Sequence, residues 1–209
     1  MTHKSPLDIH IWSDYVCPFC YLQLPLLARL QEDFEEAVKV TWHAFELRPE
    51  PVDTLDPNGE YLRSTWKRAV YPLALERGMQ LQLPPVQPRS RLAFQASEFA
   101  RDRGVFEAFH LSVFKAFFEQ GLDIGQPSVL LYLAEALGLP REELAVALGK
   151  RHYLPRVLAD QAQAERLGLR GVPGGEMRGV GEGLGEGIAL NGALPYERLY
   201  NAVKARLDS

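Results

Sequence analysis

The order of hydrophobic patterns near the start of the chain constrains the fold most strongly. Residues 7–12 alternate apolar and polar side chains, residues 19–36 repeat leucines at helical spacing, and residues 38–45 alternate again. Alternation predicts strands, and spacing of three to four residues predicts a helix. Two strands joined by a crossover helix run parallel with a right-handed connection. The chain is therefore expected to have an α/β fold.

Two cysteines lie between the first predicted strand and the helix. They are Cys17 and Cys20, in Cys17-Pro18-Phe19-Cys20, and the chain has no others. The carboxyl end of a parallel strand is where such sheets place their functional sites. Pro18 suits the first turn of a helix, because its missing N–H would have no partner there. A close pair of cysteines in a cytosolic protein indicates redox chemistry or metal binding rather than a disulfide framework.

The position of the cysteines predicts a different role for each. A thiol reacts as its thiolate, and the unpaired N–H groups at a helix N-terminus stabilise that anion. Cys17, just before the helix, is the predicted nucleophile. Cys20, one turn later, is the predicted resolving thiol that attacks a mixed disulfide. Phe19, between them, is a candidate contact for a substrate.

Two other interpretations of the cysteine pair remain open. Zinc would need two further ligands, and the five histidines offer no pair at the spacing of a zinc finger. The two thiols could also be buried and inert, because free cysteine is among the most buried residue types. His10 and His43, on the predicted strands, are interpreted as structural.

The middle of the chain has a helical pattern. Candidate helices lie at residues 60–70, 91–103, 105–120, 127–137, 141–148 and 154–167. A short apolar run at 188–190 and a final helix at 195–207 complete the chain. The predicted division is a first α/β segment at 1–52, a helical insertion at 53–152 and a second α/β segment at 153–209. Residues 174–187 are too rich in glycine and glutamate to make a good strand. Three interpretations of this segment stay open: a flexible loop that shapes substrate entry, a distorted strand held by its neighbours, or a divergence that leaves the cysteine site poorly supported.

Composition excludes several classes of function. The 209 residues are 46% hydrophobic and can bury a core without disulfides. The net charge of -4, with no basic run, argues against binding of nucleic acid. Neither a signal peptide nor a membrane span of roughly 20 apolar residues is recognisable. We therefore expect a cytoplasmic protein without a membrane segment, as a monomer or homodimer.

Four separated segments resemble one known family. Residues 13–21 (SDYVCPFCY) resemble the active-site segment of the DsbA family of thioredoxin-fold oxidoreductases, in particular its cytoplasmic FrnE-like branch. Residues 45–49 (FELRP) resemble the end of the second strand of that branch. Residues 171–173 (GVP) resemble the segment with the family's cis-proline, and residues 191–196 (NGALPY) resemble the turn before its last helix.

The resemblance implies a thioredoxin fold interrupted by an all-helical insertion domain, with Pro173 in the cis form beside Cys17. Val172 and Pro173, together with Pro18 and Phe19, would contact the substrate. The implied activity is exchange of disulfides with protein or low-molecular-weight thiols. No metal or organic cofactor is implied, although glutathione could serve as a recycling thiol.

Two alternative functions are compatible with the same fold. Glutathione-dependent 2-hydroxychromene-2-carboxylate isomerases share the fold and the helical insertion, but a serine usually replaces their first cysteine. A redox-inactive binding module or chaperone is the other alternative, and it would tolerate replacement of Cys17.

Overall fold

The computed structural model describes residues 6–208. Strand β1 (Leu7–Ser13), helix α1 (Pro18–Phe34) and strand β2 (Val38–Ala44) follow one another, with a single 3₁₀ turn before β2. β1 and β2 pair in parallel, so the predicted strand-helix-strand unit is confirmed. Helix α1 continues through Pro25. The cysteine segment lies at the carboxyl end of β1.

Strands β3 (Gly174–Arg178) and β4 (Ile188–Asn191) complete a sheet of order β2-β1-β3-β4. β3 pairs antiparallel with both β1 and β4. Of the interpretations left open for the glycine-rich segment, a strand held by its neighbours is the one that residues 174–178 adopt. A Cβ atom on Gly175 would lie 1.9 Å from the carbonyl oxygen of His10, so the close approach of β3 to β1 requires glycine.

The rest of the glycine-rich segment forms two successive turns. In the first, the Glu182 N–H donates to Gly179 O at 3.2 Å, and the Glu182 carboxylate accepts the Gly179 N–H at 2.8 Å. The second turn repeats this arrangement between Gly183 and Glu186. The third residue of each turn is a glycine with φ of 84° or 86°, as type II turns require. The alternating glycines and glutamates therefore encode ordered turns.

The chain divides into two compact units. One takes in the chain up to Phe45 and from Asp160 onward, and it contains the sheet, α1 and the last helix, α9 (Tyr196–Leu207). The other unit is Glu46–Ala159. These divisions fall at 46 and 159, whereas the sequence analysis places them at 53 and 152.

The second unit is helical. Its elements are α2 (Glu60–Thr65), a π-helical turn (Trp66–Val70), α3 (Tyr71–Glu76), α4 (Arg91–Arg101), α5 (Phe106–Phe118), α6 (Pro127–Ala136), α7 (Arg141–Gly149) and the start of α8 (Leu154–Arg166). Its core is rich in phenylalanine: Phe99, Phe109, Phe114, Phe117 and Phe118 are all buried. Each of the six predicted helical segments contains a helix, and α3 was not predicted. No helix among residues 6–208 is long and apolar enough to cross a membrane.

Candidate active site

Cys17 occupies the cap position of α1. Its backbone is extended, with φ of -94° and ψ of 112°, and Pro18 follows as the first helical residue. The Cys17 N–H donates to Asp14 O at 3.0 Å, and Cys17 O accepts the Cys20 N–H at 3.1 Å. The structure thus places Cys17 at the end of the helix where backbone donors lack helical partners and the helix dipole is positive. An anion at this position is stabilised.

Val172 and Pro173 lie beside Cys17. The peptide bond between them is cis, and the Cys17 thiol donates to the Val172 carbonyl oxygen at 3.4 Å. The Val172 side chain packs against a core cluster that contains Trp12. Pro173 O accepts the Gly192 N–H at 2.9 Å, which attaches the turn after β4 to the same site. Three of the four segments that carry the family resemblance therefore meet at this point.

Cys20 is less accessible than Cys17. Cys20 is 0% exposed and Cys17 is 5% exposed. Burial raises the pKa of the Cys20 thiol well above its ordinary value, and a hydrogen bond with Cys17 raises it further. The Asp14 N–H opposes this shift, because it donates to the sulfur. Burial therefore favours the neutral thiol form of Cys20.

Asp14 is a site residue that the sequence analysis did not single out. It is 1% exposed, and its carboxylate accepts the Val16 N–H at 3.3 Å. Its backbone carbonyl fixes Cys17, as described above. Aspartate often forms a turn by accepting the backbone N–H two residues later. The pair Ser13-Asp14 before the predicted helix could therefore have identified Asp14 as a turn-forming residue from the sequence. Pro18 and Phe19, in the first turn of α1, are both half-buried.

A hydrogen-bonded network supports the site from one face of the sheet. His43 Nδ1 lies 2.8 Å from Asp160 Oδ1, and His43 Nε2 lies 2.8 Å from His10 Nδ1. The Asp160 carboxylate accepts from His43 Nδ1, and either ring can supply the proton of the bond between His43 and His10, according to its tautomer. Trp12 stacks on His43 with ring centroids 4.4 Å apart and donates its indole N–H to Asp160 O at 2.9 Å. The network holds Trp12, which belongs to the core cluster against which Val172 packs.

This network predicts sensitivity to acid. Burial, followed by the charge of Arg178 and then by His43, lowers the pKa of His10 to about 4. Because the unfolded chain binds this proton near pH 6.5, the stabilisation is complete above that pH and is lost as the pH falls towards 4. We expect the free energy of unfolding to fall by about 1 kcal/mol from this group between pH 7 and pH 5, allowing for partial exposure. Urea unfolding at the two pH values measures it.

His10→Asn is the matched control for this measurement. Asparagine places an N–H donor near the position of His10 Nδ1 but does not titrate. Burial also lowers the pKa of His110, to about 3, and both proteins retain that residue. The variant should therefore lose less stability on acidification than the parent. Equal losses in the two proteins would contradict the role assigned to His10.

The zinc alternative requires ligands in addition to the two cysteines. Within residues 6–208, no group of three histidine, cysteine, aspartate or glutamate side chains is arranged to hold a metal ion. The arrangement of Cys17, Cys20 and Val172 suits chemistry at sulfur.

Comparison with known proteins agrees with the geometry. The family model of the DSBA-like thioredoxin domain matches residues 8–204. The uncharacterized protein YwbO of Bacillus subtilis (strain 168) is 36% identical over 155 residues, which cover 70% of this chain and 74% of YwbO. Neither finding specifies a substrate.

Solved structures share the fold. A probable DsbA oxidoreductase, SCO1869, from Streptomyces coelicolor aligns with a TM-score of 0.77 at 22% identity, over 97% of this chain and 91% of that one. A 2-hydroxychromene-2-carboxylate isomerase aligns with a TM-score of 0.74 at 20% identity, over 95% and 94%. The cytosolic disulfide reductase DsbM from Pseudomonas aeruginosa, with GSH, aligns with a TM-score of 0.68 at 21% identity, over 97% and 100%.

These comparisons confirm the predicted fold class, an α/β thioredoxin fold of the DsbA-like type. The family model extends over almost the whole length of the chain, including the cysteine segment and residues 172–173. This chain therefore belongs to the family of DSBA-like thioredoxin domain proteins.

Proposed function

We propose that this protein is a dithiol-disulfide oxidoreductase in which Cys17 is the nucleophile and Cys20 the resolving thiol. The observation that carries the proposal is the asymmetry of the pair. Cys17 lies at the N-terminus of α1 with its sulfur beside Val172 O, and Cys20 is fully buried with a raised pKa. A thiolate at the helix end can attack first, while the buried thiol stays protonated.

The reaction in the reductive direction has two steps. The Cys17 thiolate attacks one sulfur of a substrate disulfide, so that a mixed disulfide forms and the second substrate sulfur leaves as a thiolate. Cys20 then loses its proton and attacks the Cys17 sulfur, which releases the first substrate sulfur. The substrate disulfide is reduced to two thiols, and Cys17 and Cys20 end joined by a disulfide. The same steps in reverse oxidise a substrate dithiol.

Residues 172–173 are the proposed substrate-docking edge. Because Pro173 has no N–H to donate, it cannot pair with a neighbouring strand through its nitrogen. The backbone next to it is therefore free to form hydrogen bonds with an extended substrate. The Val172 carbonyl, which accepts from Cys17 in this structure, is the acceptor nearest the reacting sulfur. Pro18 and Phe19, in the half-exposed first turn of α1, are proposed to contact the substrate from the other side.

The proposed setting is the cytoplasm, and the proposed direction is reduction or isomerisation of protein or small-molecule disulfides. The likeness to the cytosolic disulfide reductase DsbM supports this direction, as does the FrnE-like character of residues 13–21. We propose that no organic cofactor is needed and that glutathione recycles the oxidised pair. The protein is proposed to act as a monomer or homodimer.

A redox titration in glutathione buffers tests the proposal. We expect one reversible two-electron transition with a midpoint between roughly -270 and -120 mV, the span of related couples. Mass spectrometry of the quenched samples should show a bond between Cys17 and Cys20. Cysteines that stay reduced throughout the titration would contradict the proposal. If the Cys20→Ser variant turned over an isomerase substrate and the parent protein had no reductase activity, the isomerase alternative would be favoured.

A further inference from the structure

The loop before the cis-proline contains an exposed arginine. Residues 169–173 (LRGVP) lead from α8 into β3. The loop is anchored on both sides of this arginine. The Leu169 N–H donates to Ala164 O at 3.0 Å, and the side chains of Leu169 and Val172 pack against one core cluster. The backbone of Arg170, which lies between them, is therefore held in place, while Arg170 itself is exposed.

This anchoring keeps the charge of Arg170 near the reacting sulfur. The carbonyl oxygen of Val172, two residues along the chain, accepts the Cys17 thiol at 3.4 Å, and two residues separate Cα atoms by at most about 7 Å. A Cβ on Gly171, between them, would meet no atom of residues 6–208 within 4 Å, so the loop is open to an approaching molecule. At about 0.01 M salt the screening length is about 30 Å. The charge therefore acts on a substrate at Cys17 whichever way the arginine side chain extends.

The segments that meet at Cys17 are otherwise without exposed charge. Residues 15–28 contain no charged side chain, and Asp14 before them is 1% exposed. Residues 171–175 and the turn at 191–195 contain no charged side chain either. Arg170 directly precedes the second of these segments and makes no ion pair with any other residue of the range 6–208. It is therefore a free positive charge beside a neutral surface.

Other exposed charges of the sheet unit near these segments oppose one another or lie farther from Cys17. Glu165 and Arg166, at the end of α8, are adjacent and opposite in sign. Glu197, in the first turn of α9, follows a tyrosine whose hydroxyl bonds Asp33. Asp33 is at the far end of α1, roughly 24 Å along the helix from Cys17. None of these charges cancels that of the arginine at the cis-proline loop.

We propose that Arg170 selects disulfides that carry a carboxylate close to their sulfur atoms. This inference rests on the proposed redox function and names its substrate class. The positive charge would attract an anionic substrate as it docks beside Val172, and the planar guanidinium suits a carboxylate. Neutral and cationic disulfides would react with Cys17 through the same two exchange steps but without this attraction. Arg170 is thus assigned a role in specificity rather than in the exchange itself.

Three small disulfides of similar length test the inference. 3,3′-Dithiodipropionate is anionic, its diamide is neutral and cystamine is cationic. Each would oxidise the reduced full-length protein to the disulfide between Cys17 and Cys20 and leave as two thiols. Alkylation of the remaining thiols followed by mass spectrometry gives the rate constant of oxidation. The quantity compared is the ratio of the rate constant for the dicarboxylate to that for its diamide, because a change in the reactivity of Cys17 itself cancels in this ratio.

Three variants assign the preference to Arg170. At about 0.01 M salt, Arg170→Gln should lower the ratio about threefold, the effect of an exposed ion pair, and raise the corresponding ratio for cystamine. Arg170→Lys should retain most of the preference of the parent. Lys39→Gln is the control, because it removes one exposed positive charge at the other end of the sheet. Lys39 lies opposite Asp8, roughly 17 Å along β1 from Ser13, so this variant should keep the ratio of the parent.

The outcomes separate this inference from the redox function on which it rests. At about 1 M salt, where the screening length is about 3 Å, the difference between the parent and Arg170→Gln should become much smaller. Equal ratios in these two proteins at low salt would overturn the selection by Arg170, and so would an equal fall in Lys39→Gln. A parent protein that none of the three disulfides oxidises would instead refute the proposed redox function, and the inference with it.

Discussion

Replacing Cys17 with serine is expected to lower disulfide-reductase turnover by at least about 10³-fold, because removal of a catalytic nucleophile has effects of this size or larger. Cys20→Ser should also lose turnover, but for a different reason. It should still attack a substrate disulfide and then accumulate as a mixed disulfide. The two variants therefore separate the roles of two sulfurs that lie within one turn of helix.

The structure gives the physical reason for this difference. Cys17 lies at the helix N-terminus beside the Val172 carbonyl. It is also slightly exposed, as attack on a substrate requires. Cys20 has no exposed surface, and burial raises its pKa, so it is a poor first nucleophile. In the proposed reaction Cys20 lies beside Cys17 when Cys17 is bonded to a substrate, so it would attack within the molecule rather than from solvent.

Insulin reduction measures turnover, and mass spectrometry after incubation with oxidised glutathione measures trapping. Leu75→Ala serves as the control, because Leu75 is 83% exposed and is not one of the proposed site residues, and it should keep the turnover of the parent. A mixed disulfide trapped on Cys17→Ser but not on Cys20→Ser would reverse the two roles. Absence of turnover in the parent, with peptide binding that Cys17→Ser leaves unchanged, would favour the redox-inactive binding module.

The parts of the fold that the sequence predicts are those specified by local patterns. Strands β1 and β2 follow from alternation, and the helices follow from spacing of three to four residues. Cys17 and Cys20 are three positions apart in the sequence, so their proximity needed no tertiary information. The approach of Val172 to Cys17 spans 155 residues and was available only through the family resemblance.

The parts that the sequence did not predict depend on long-range contacts. Asp160 is one polar residue in a helical pattern, and nothing local shows that it accepts from His43. Strand β3 was left open because strand preference penalises glycine, whereas the sheet requires glycine where β3 approaches His10. The sequence analysis assigned no structural role to Glu182 and Glu186, whereas each closes a turn onto a backbone N–H.

Gly175→Ala is expected to have the largest effect on stability of any single change considered. Gly175 lies in β3 between Ile11 of β1 and Leu190 of β4. An added Cβ would lie 1.9 Å from His10 O and 2.9 Å from His10 C, and these backbone atoms cannot rotate away. β1 and β3 would have to separate, so we expect a loss of at least about 4 kcal/mol, at the upper end of single-residue effects.

The effect should extend to the redox site, because β3 begins one residue after Pro173 and positions Val172 beside Cys17. Gly179→Ala is the control in the same segment. Its added Cβ would meet nothing closer than the flexible end of Arg206, at 3.4 Å, and the change should be within about 1 kcal/mol of neutral. Circular dichroism during urea unfolding compares the two variants with the parent. Parent-like stability of Gly175→Ala would show that β3 does not pair with β1 in this register, and the placement of Val172 beside Cys17 would then lose its support.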